Sequence, residues 1–312
     1  MEQILLFYKY VDIEWPEAIA KWQKRLCSEL NLKGRVLLAT EGINGTVAGT
    51  IEETEQYIKA LDAHPLFGQI DFKTSTGDRS AFPKMRVLVK KEIVRLGIAP
   101  EELKAKDGGI HLSPEEAHTL MTKAPKDLVI IDIRNNYETR IGTFKNAITP
   151  DISTTAEFPA YFDNNVELFA DKQVLMTCTG GVRCERVSAY LKQKNVAKEI
   201  YQIKGGIHRY AEQYPDGHFR GINYVFDARG GQRINNDILT TCDLCSIPSD
   251  QYNNCMNASC NNHYIACPTC LKKYELTCSE SCLTLLKTGQ VKPRPSVAYT
   301  TLETSTDSHP CV

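Results

Sequence analysis

The sequence predicts a multidomain α/β protein: a ferredoxin-like α+β sandwich, a central parallel α/β domain and a cysteine-rich, zinc-binding-like end. Three observations carry that reading. Residues 1–95 alternate apolar runs and amphipathic stretches in the order β-α-β-β-α-β, the split-βαβ arrangement of a ferredoxin-like domain. Residues 113–220 alternate single strands with single helices, as a parallel sheet requires. Eight of the 12 cysteines lie between Cys242 and Cys282, in closely spaced pairs.

A length of 312 residues suits two or three domains. Hydrophobic residues at 42% and charged residues at 24% fit an ordinary soluble chain. No apolar run reaches the length of a membrane span. The start, Met1 to Phe7, is short and carries an acid, so it reads as a strand rather than a signal peptide. A net charge of -1 leaves any nucleic-acid binding to local basic patches. Without a leader the expected compartment is reducing and cytoplasmic, where clustered cysteines serve metal or redox chemistry rather than disulfides.

In chain order, Gln3 to Tyr10 reads as a strand and Pro16 to Leu30 as a helix with Trp22 and Leu26 on one face. Gly34 to Ala39 is a strand, Gly42-Ile43-Asn44-Gly45 has hairpin-turn composition, and Thr46-Val47-Ala48 returns. Ile51 to Ala63 is a second amphipathic helix; Ile70 to Lys73 and Met85 to Val89 supply the last strands. Lys84, Arg86, Lys90, Lys91 and Arg95 bunch around the final strand, while Phe7, Tyr8 and Tyr10 lie on the first. A basic stripe with nearby aromatics suits phosphate contact and base stacking. An edge strand kept soluble by lysines has the same composition.

Residues 96–112 are polar and read as a linker. Ser113-Pro114-Glu115-Glu116 opens a helix, with Ser113 as N-cap, proline at the first position and Glu116 completing a capping box. Leu128 to Ile131 is a strand ending in Asp132-Ile133-Arg134; Val174 to Thr177 leads to Cys178, and Glu199 to Ile203 to Gly205-Gly206. Functional loops of a parallel sheet sit at the carboxyl ends of its strands. Asp132, Cys178 and Gly205 therefore point to one face.

The loop Cys178-Thr179-Gly180-Gly181-Val182-Arg183-Cys184 is the strongest chemical signal. It runs from a buried strand into a helix N-terminus, where backbone N–H groups turn inward and the helix dipole adds partial positive charge. Gly180 and Gly181 permit the positive φ angles a tight cradle needs. Arg183 adds a fixed charge, so the Cys178 thiol is expected well below its ordinary range. A structural cysteine beside a glycine turn is the plainer alternative. Cys184 is placed either to resolve an oxidised Cys178 or simply to pack.

Asp132-Ile133-Arg134 through Glu138, Gly142-Thr143-Phe144, the Cys178 to Arg183 loop and Gly205-Gly206 resemble a rhodanese domain over about residues 113–215. That resemblance makes the central domain rhodanese-like and implies a persulfide on the loop's first cysteine, here Cys178. Lys33-Gly34-Arg35, Glu41-Gly42-Ile43-Asn44-Gly45-Thr46, Cys178 through Glu185 and the cysteine-rich end together resemble the bacterial tRNA uridine hydroxylase family, to about residue 285. What this resemblance implies is oxygen-dependent formation of 5-hydroxyuridine at the wobble position of certain tRNAs. The implied partners are the anticodon arm of tRNA, O2 and a reductant, with no membrane or protein partner. No flavin, haem or nucleotide motif and no iron triad is evident in the residues themselves. A thiolate or persulfide adding at C6 of uracil would enrich C5 for reaction with oxygen. A sulfurtransferase passing sulfur from Cys178 to an acceptor is the alternative activity, and a catalytically silent RNA-binding module the alternative class.

The candidate site thus comprises Cys178 and Arg183 as catalytic residues, with Thr179, Gly180, Gly181 and Val182 as the active-site loop. Asp132, Arg134 and Cys184 stand in support, and Lys84, Arg86, Lys90, Lys91, Arg229 and Arg233 are candidate RNA contacts. Gly221 to Asp227 reads as a short strand, and Arg229, Gly230, Gly231 and Arg233 as a flexible basic connector. The cysteines then run Cys242-x2-Cys245, Cys255-x4-Cys260, Cys267-x2-Cys270 and Cys278-x3-Cys282. Alternating pairs would hold two structural Zn²⁺ ions, one on Cys242, Cys245, Cys267 and Cys270, the other on Cys255, Cys260, Cys278 and Cys282. His263 is a substitute ligand or an exposed polar residue, and a disulfide framework is the alternative chemistry. The tail from Lys292 to Val312 is rich in Pro, Ser and Thr and is expected to be disordered or weakly packed.

Overall fold

The computed structural model describes residues 1–294, so the expected tail from residue 295 onward lies outside the described residues. The chain divides into two compact units, Met1–Asn135 with Asn146–Tyr214, and Asn136–Lys145 with the chain from Pro215 onward.

The first unit holds two sheets. β1 (Glu2–Tyr10), α1 (Pro16–Glu29), β2 (Lys33–Ala39), β3 (Gly42–Thr50), α2 (Ile51–Asp62), β4 (Lys73–Thr76) and β5 (Met85–Val89) make the ferredoxin-like layer. Its strand order is β4-β1-β3-β2-β5. Leu5, Phe7, Val36, Leu38 and Val47 pack against Ala20, Tyr57 and Leu61 of the two helices. Because strand side chains alternate, Leu6, Tyr8 and Tyr10 turn to the opposite face.

Three sequence expectations change here. β3 already begins at Gly42, so the reversal falls at Thr40-Glu41. Gly45 serves close packing instead of a turn: a Cβ there would stand 2.4 Å from the Phe7 ring. The strand expected from Ile70 begins at Lys73, while Ile70 and Phe72 fill the core from the irregular lead-in. Phe7 is buried against Tyr57 and Phe72, and β3 and β2 separate β1 from the basic strand β5. The aromatics and the basic residues therefore form no common stripe.

The second sheet is built from β6 (Ile110–Leu112), α3 (Pro114–Lys123) and β7 (Leu128–Asp132). The chain then crosses α4 (Asn136–Thr139) and β8 (Gly142–Phe144), which belong to the other unit. It continues through α5 (Phe158–Asn164), β9 (Gln173–Thr177), α6 (Val182–Gln193), β10 (Glu199–Ile203) and α7 (Gly206–Gln213). The strands run parallel in the order β6-β10-β9-β7. The Ser113 capping box forms as expected, with Ser113 N–H donating to Glu116 Oε2 at 2.7 Å. The segment read as a linker is packed: Leu96 and Leu103 are buried with Phe158 and Leu191, and β6 adds an edge strand. Its apolar residues are too widely spaced to show a period.

In the second unit β8 pairs with β11 (Phe219–Tyr224), which pairs with β12 (Gly231–Arg233). A hairpin of β13 (Tyr252–Asn254) and β14 (His263–Ile265) follows, then α8 (Pro268–Lys273) and α9 (Glu280–Lys287). Among the described residues no helix is long and apolar enough to cross a membrane.

Candidate active site and cysteine clusters

Cys178 follows β9, and its loop enters α6 through Gly181, whose φ of 101° lies in the left-handed region. Gly206, at the start of α7, walls the loop. A Cβ there would stand 2.4 Å from the Cys178 carbonyl oxygen and 2.7 Å from the Gly181 nitrogen. Gly180 does not take the positive φ expected of it; a Cβ there would meet Leu6 Cδ2 of β1 at 3.0 Å, so it admits a neighbour instead.

The Gly181 N–H donates to Cys178 Sγ at 3.2 Å. Cys178 is fully buried. Burial alone would raise its thiol; the Cys184 thiol, the Arg183 guanidinium and the backbone N–H groups of Cys184 and Arg183 outweigh it and hold Cys178 at about 6. The neighbouring Cys184 moves the other way, pushed up by burial and by its hydrogen bond and charge coupling with Cys178. Arg183 also donates from Nη2 to Thr179 Oγ1 at 3.2 Å. The Val182 carbonyl accepts from Tyr10 Oη at 3.1 Å. At the end of β7, Asp132 takes Arg134 Nε at 2.9 Å and Nη2 at 2.7 Å, both side chains fully buried. That bidentate pair braces the strand end beside the loop.

The ferredoxin-like sheet lies over the loop. Tyr8 Oη donates to Glu185 Oε1 at 2.9 Å. His111 Nε2 meets the same oxygen at 3.0 Å, and Gln202 Nε2 donates to Glu185 Oε2 at 3.1 Å. The Glu185 hydrogen bond holds His111 above its ordinary range. Lys73, paired with Leu6 across the β1–β4 register, is 1% exposed; its Nζ meets Asp71 Oδ2 at 3.0 Å and lies 5.2 Å from the Tyr8 ring centre. Arg186 donates to Glu92 at 2.6 Å and to the Ile98 carbonyl at 2.5 Å, and pairs with Glu41 at 3.4 Å. Glu41 thus anchors the β2–β3 reversal to α6.

Sequence reasoning missed Lys73, His111 and Arg186 as neighbours of this site, and quoted Glu185 only as the end of the loop motif, without a role. The signal that carries them is the alternation of β1, where Leu6, Tyr8 and Tyr10 oppose the core residues Leu5 and Phe7 and so need a partner of their own. Of the candidate RNA contacts, Lys84, Arg86, Lys90 and Lys91 are exposed. Arg229 and Arg233 are not a loose connector. Arg229 pairs with Asp227 through Nε at 2.8 Å and Nη2 at 2.6 Å, and Arg233 with Asp250 at 2.7 Å. Asp250 lies beyond the local pattern that marked Arg233 as basic, whereas Asp227 stands two residues before Arg229, within that pattern.

The cysteines of the second unit gather as two four-sulfur groups that could hold metal ions, Cys242, Cys245, Cys267 and Cys270, and Cys255, Cys260, Cys278 and Cys282. Within each group the sulfurs lie within 4.8 Å of one another. Individual separations are 3.7 Å for Cys245 and Cys267 and 3.8 Å for Cys260 and Cys278. A tetrahedron with metal–sulfur bonds of about 2.3 Å has edges of about 3.8 Å, so the donor sets fit such an ion. His263 belongs to neither group and stacks on Tyr137 at 4.7 Å.

Comparison with known proteins covers the same ground. Residues 2–93 match the UPF0176 acylphosphatase like domain, residues 113–213 the Rhodanese-like domain, and residues 220–283 the family described as Rhodanase C-terminal. The chain is similar to a tRNA uridine(34) hydroxylase of Corynebacterium jeikeium, at 40% identity over 86% of this chain and 89% of that one. A relative of the same name in Corynebacterium urealyticum is 40% identical over 89% of this chain and 96% of its own. One in an Arthrobacter species is 39% identical over 90% and 99%.

Proposed function

The chain belongs to the tRNA uridine(34) hydroxylase family, and from that premise we propose that it hydroxylates uridine 34 of tRNA to 5-hydroxyuridine with Cys178 as the reacting sulfur. The observation that supports this role for Cys178 is a fully buried thiol held at about 6 by N–H donors, Cys184 and Arg183. Such a sulfur is an anion at neutral pH and can add to C6 of uracil, which enriches C5 for attack on oxygen. Once C5 is hydroxylated, loss of the C5 proton expels the thiolate from C6 and restores the ring double bond. Insertion of one oxygen atom into the C5–H bond leaves the second as water, with two electrons and two protons from a donor. Arg183 and the loop N–H groups keep the sulfur ionised; Thr179 to Val182 shape the cradle; Asp132, Arg134 and Cys184 brace it. The base must be flipped out of the anticodon, and the Leu6, Tyr8 and Lys73 cover must yield to it. Exposed Lys84, Arg86, Lys90 and Lys91 are offered as phosphate contacts; Arg229 and Arg233 can contribute only by sharing their carboxylate partners.

Each four-sulfur group is assigned one structural Zn²⁺, since four thiolates leave no open coordination position. The setting is cytoplasmic, with tRNA and O2 as the partners the activity requires. Nucleoside mass spectrometry of tRNA from cells lacking the protein, rescued by wild type or Cys178→Ser, tests the assignment. Full 5-hydroxyuridine in the Cys178→Ser rescue rules out Cys178. Thiosulfate:cyanide turnover without any change in tRNA would favour sulfur transfer instead.

A further inference from the structure

We propose that Lys73, carried on the N-terminal sheet, is a second cation of the Cys178 site and acts with Arg183 to hold the sulfur as an anion. The reactive centre is then composite, and the N-terminal domain is part of it rather than only a support for RNA. The proposal rests on the reading above only in taking Cys178 to work as an anion.

Placement comes first. Lys73 sits opposite Leu6 in the β1–β4 pairing, and Leu6 lies over Gly180. The Lys73 stem passes both glycine turns of the site: a Cβ on Gly180 would stand 4.0 Å from its Cδ, and one on Gly205 3.3 Å from its Cε. Burial is the second point. Lysine normally keeps its ammonium in water, and an enclosed one requires negative charge nearby. Asp71 supplies part of it, but that carboxylate is 45% exposed and also serves Arg209 at 2.6 Å. Arg209 in turn shares Glu212, so no carboxylate belongs to Lys73 alone. The Asp71 carbonyl accepts from Nζ at 3.3 Å and the Tyr8 ring faces it, but among the described residues the other anion whose charge acts on Lys73 is the Cys178 sulfur. Burial pushes the Lys73 ammonium below its ordinary range, while Asp71 and the Cys178 charge both hold it up.

The titratable and charged groups around Cys178 are Arg183 and Cys184 from α6, Tyr8 and Tyr10 from β1, and Lys73. Behind them stand Glu185, Asp71 and Arg209. His208 binds the Thr179 carbonyl through its backbone N–H, and its ring faces Glu212.

The experiment follows thiolate absorbance in the ultraviolet against pH in the full-length protein, as the difference between each variant and the same variant carrying Cys178→Ser. Lys73→Met should raise the Cys178 midpoint by roughly one unit or more, the shift one nearby opposite charge gives. Lys73→Arg should keep the midpoint close to wild type. Asp71→Asn should lower it, because Lys73 loses its competing anion. A Lys73→Met protein that folds and titrates as wild type overturns the proposal, even if it melts earlier. Should Lys73→Met fail to fold, an Asp71→Asn midpoint that is unmoved or raised overturns it. Full hydroxylation by Cys178→Ser would end the functional reading but leave these midpoints to stand or fall alone.

Discussion

Cys27 and Cys178 are both fully buried in the first unit, yet their thiols move in opposite directions. Cys27 sits on α1 among Ala20, Leu32 and Val87, and burial pushes it up to about 12. Cys178 suffers the same loss of water and is nonetheless held at about 6, because its loop aims N–H groups, a thiol and a guanidinium at the sulfur. Burial by itself raises a thiol, as at Cys27; the shift reverses only where groups sharing the enclosure favour the anion by more than burial disfavours it, as at Cys178. The second unit shows a third arrangement, where eight sulfurs in two groups are spaced for metal to supply the positive charge.

The largest contrast expected is in activity. Cys178→Ser should bring 5-hydroxyuridine in tRNA down to background, whereas Cys27→Ser should leave it at the wild-type level with a modest loss of melting temperature. Nucleoside mass spectrometry and a thermal melt read the two. Equal loss in both variants would mean that the assay reports folding.

Metal removal comes next in size. Structural zinc sites contribute about 10–16 kcal/mol of apparent binding free energy in small peptides, so chelation should unfold the second unit. Elemental analysis should find two metal ions per chain, and Cys255→Ser should retain the one on Cys242, Cys245, Cys267 and Cys270. A reduced, metal-free protein with an unchanged melt would contradict the assignment.

Arg183→Ala should raise the Cys178 midpoint from about 6, by roughly 1–3 units if the guanidinium is the main charge. The sign for stability follows. A thiol depressed on folding adds stability that is full above its ordinary value of 9.0 and is lost as pH falls through about 6. Wild type should therefore lose stability relative to Cys178→Ala as pH drops across that window, and Arg183→Ala should shrink the difference. A melt difference that is flat with pH would remove the thiolate from the stability of the fold.

What was readable in the sequence was local. The Cys178 loop, the Ser113 cap and the spacing within each cysteine pair depend on residues a few positions apart, where turn geometry and ligand spacing act directly. Which pairs join in one group spans 18 to 22 residues and is read from the sequence only as an alternation. The cover was not readable. Lys73 meets the loop only because β4 pairs with β1 in one register, and no local pattern encodes that register. Arg233 misled for the same reason: its positive charge is visible in composition, but the opposing Asp250 is 17 residues away. The Asp227 that pairs with Arg229 is only two residues off and could have been weighed from the sequence. Leu96 and Leu103 were hidden by a polar stretch whose few apolar residues are the ones that pack.

The smallest effect expected leaves all of these sulfurs untouched. Lys90 and Lys91 are exposed just beyond β5, at the sheet edge away from β4 and its Lys73. If they meet tRNA phosphates, each releases counterions, and the log–log dependence of affinity on salt carries about 0.7–0.9 of slope per contact. Lys90→Glu with Lys91→Glu should weaken tRNA binding several-fold at low salt and flatten that slope by about 1.5 or more. The Cys178 midpoint should stay at about 6, because every group that sets it lies in the loop or its cover. Filter binding across a salt series and the thiolate titration on the same preparation separate the two. A lower affinity with an unmoved midpoint places RNA binding and sulfur activation on different parts of the same compact unit. Unchanged affinity and slope would leave the two lysines as charges that keep an edge strand from pairing with another chain.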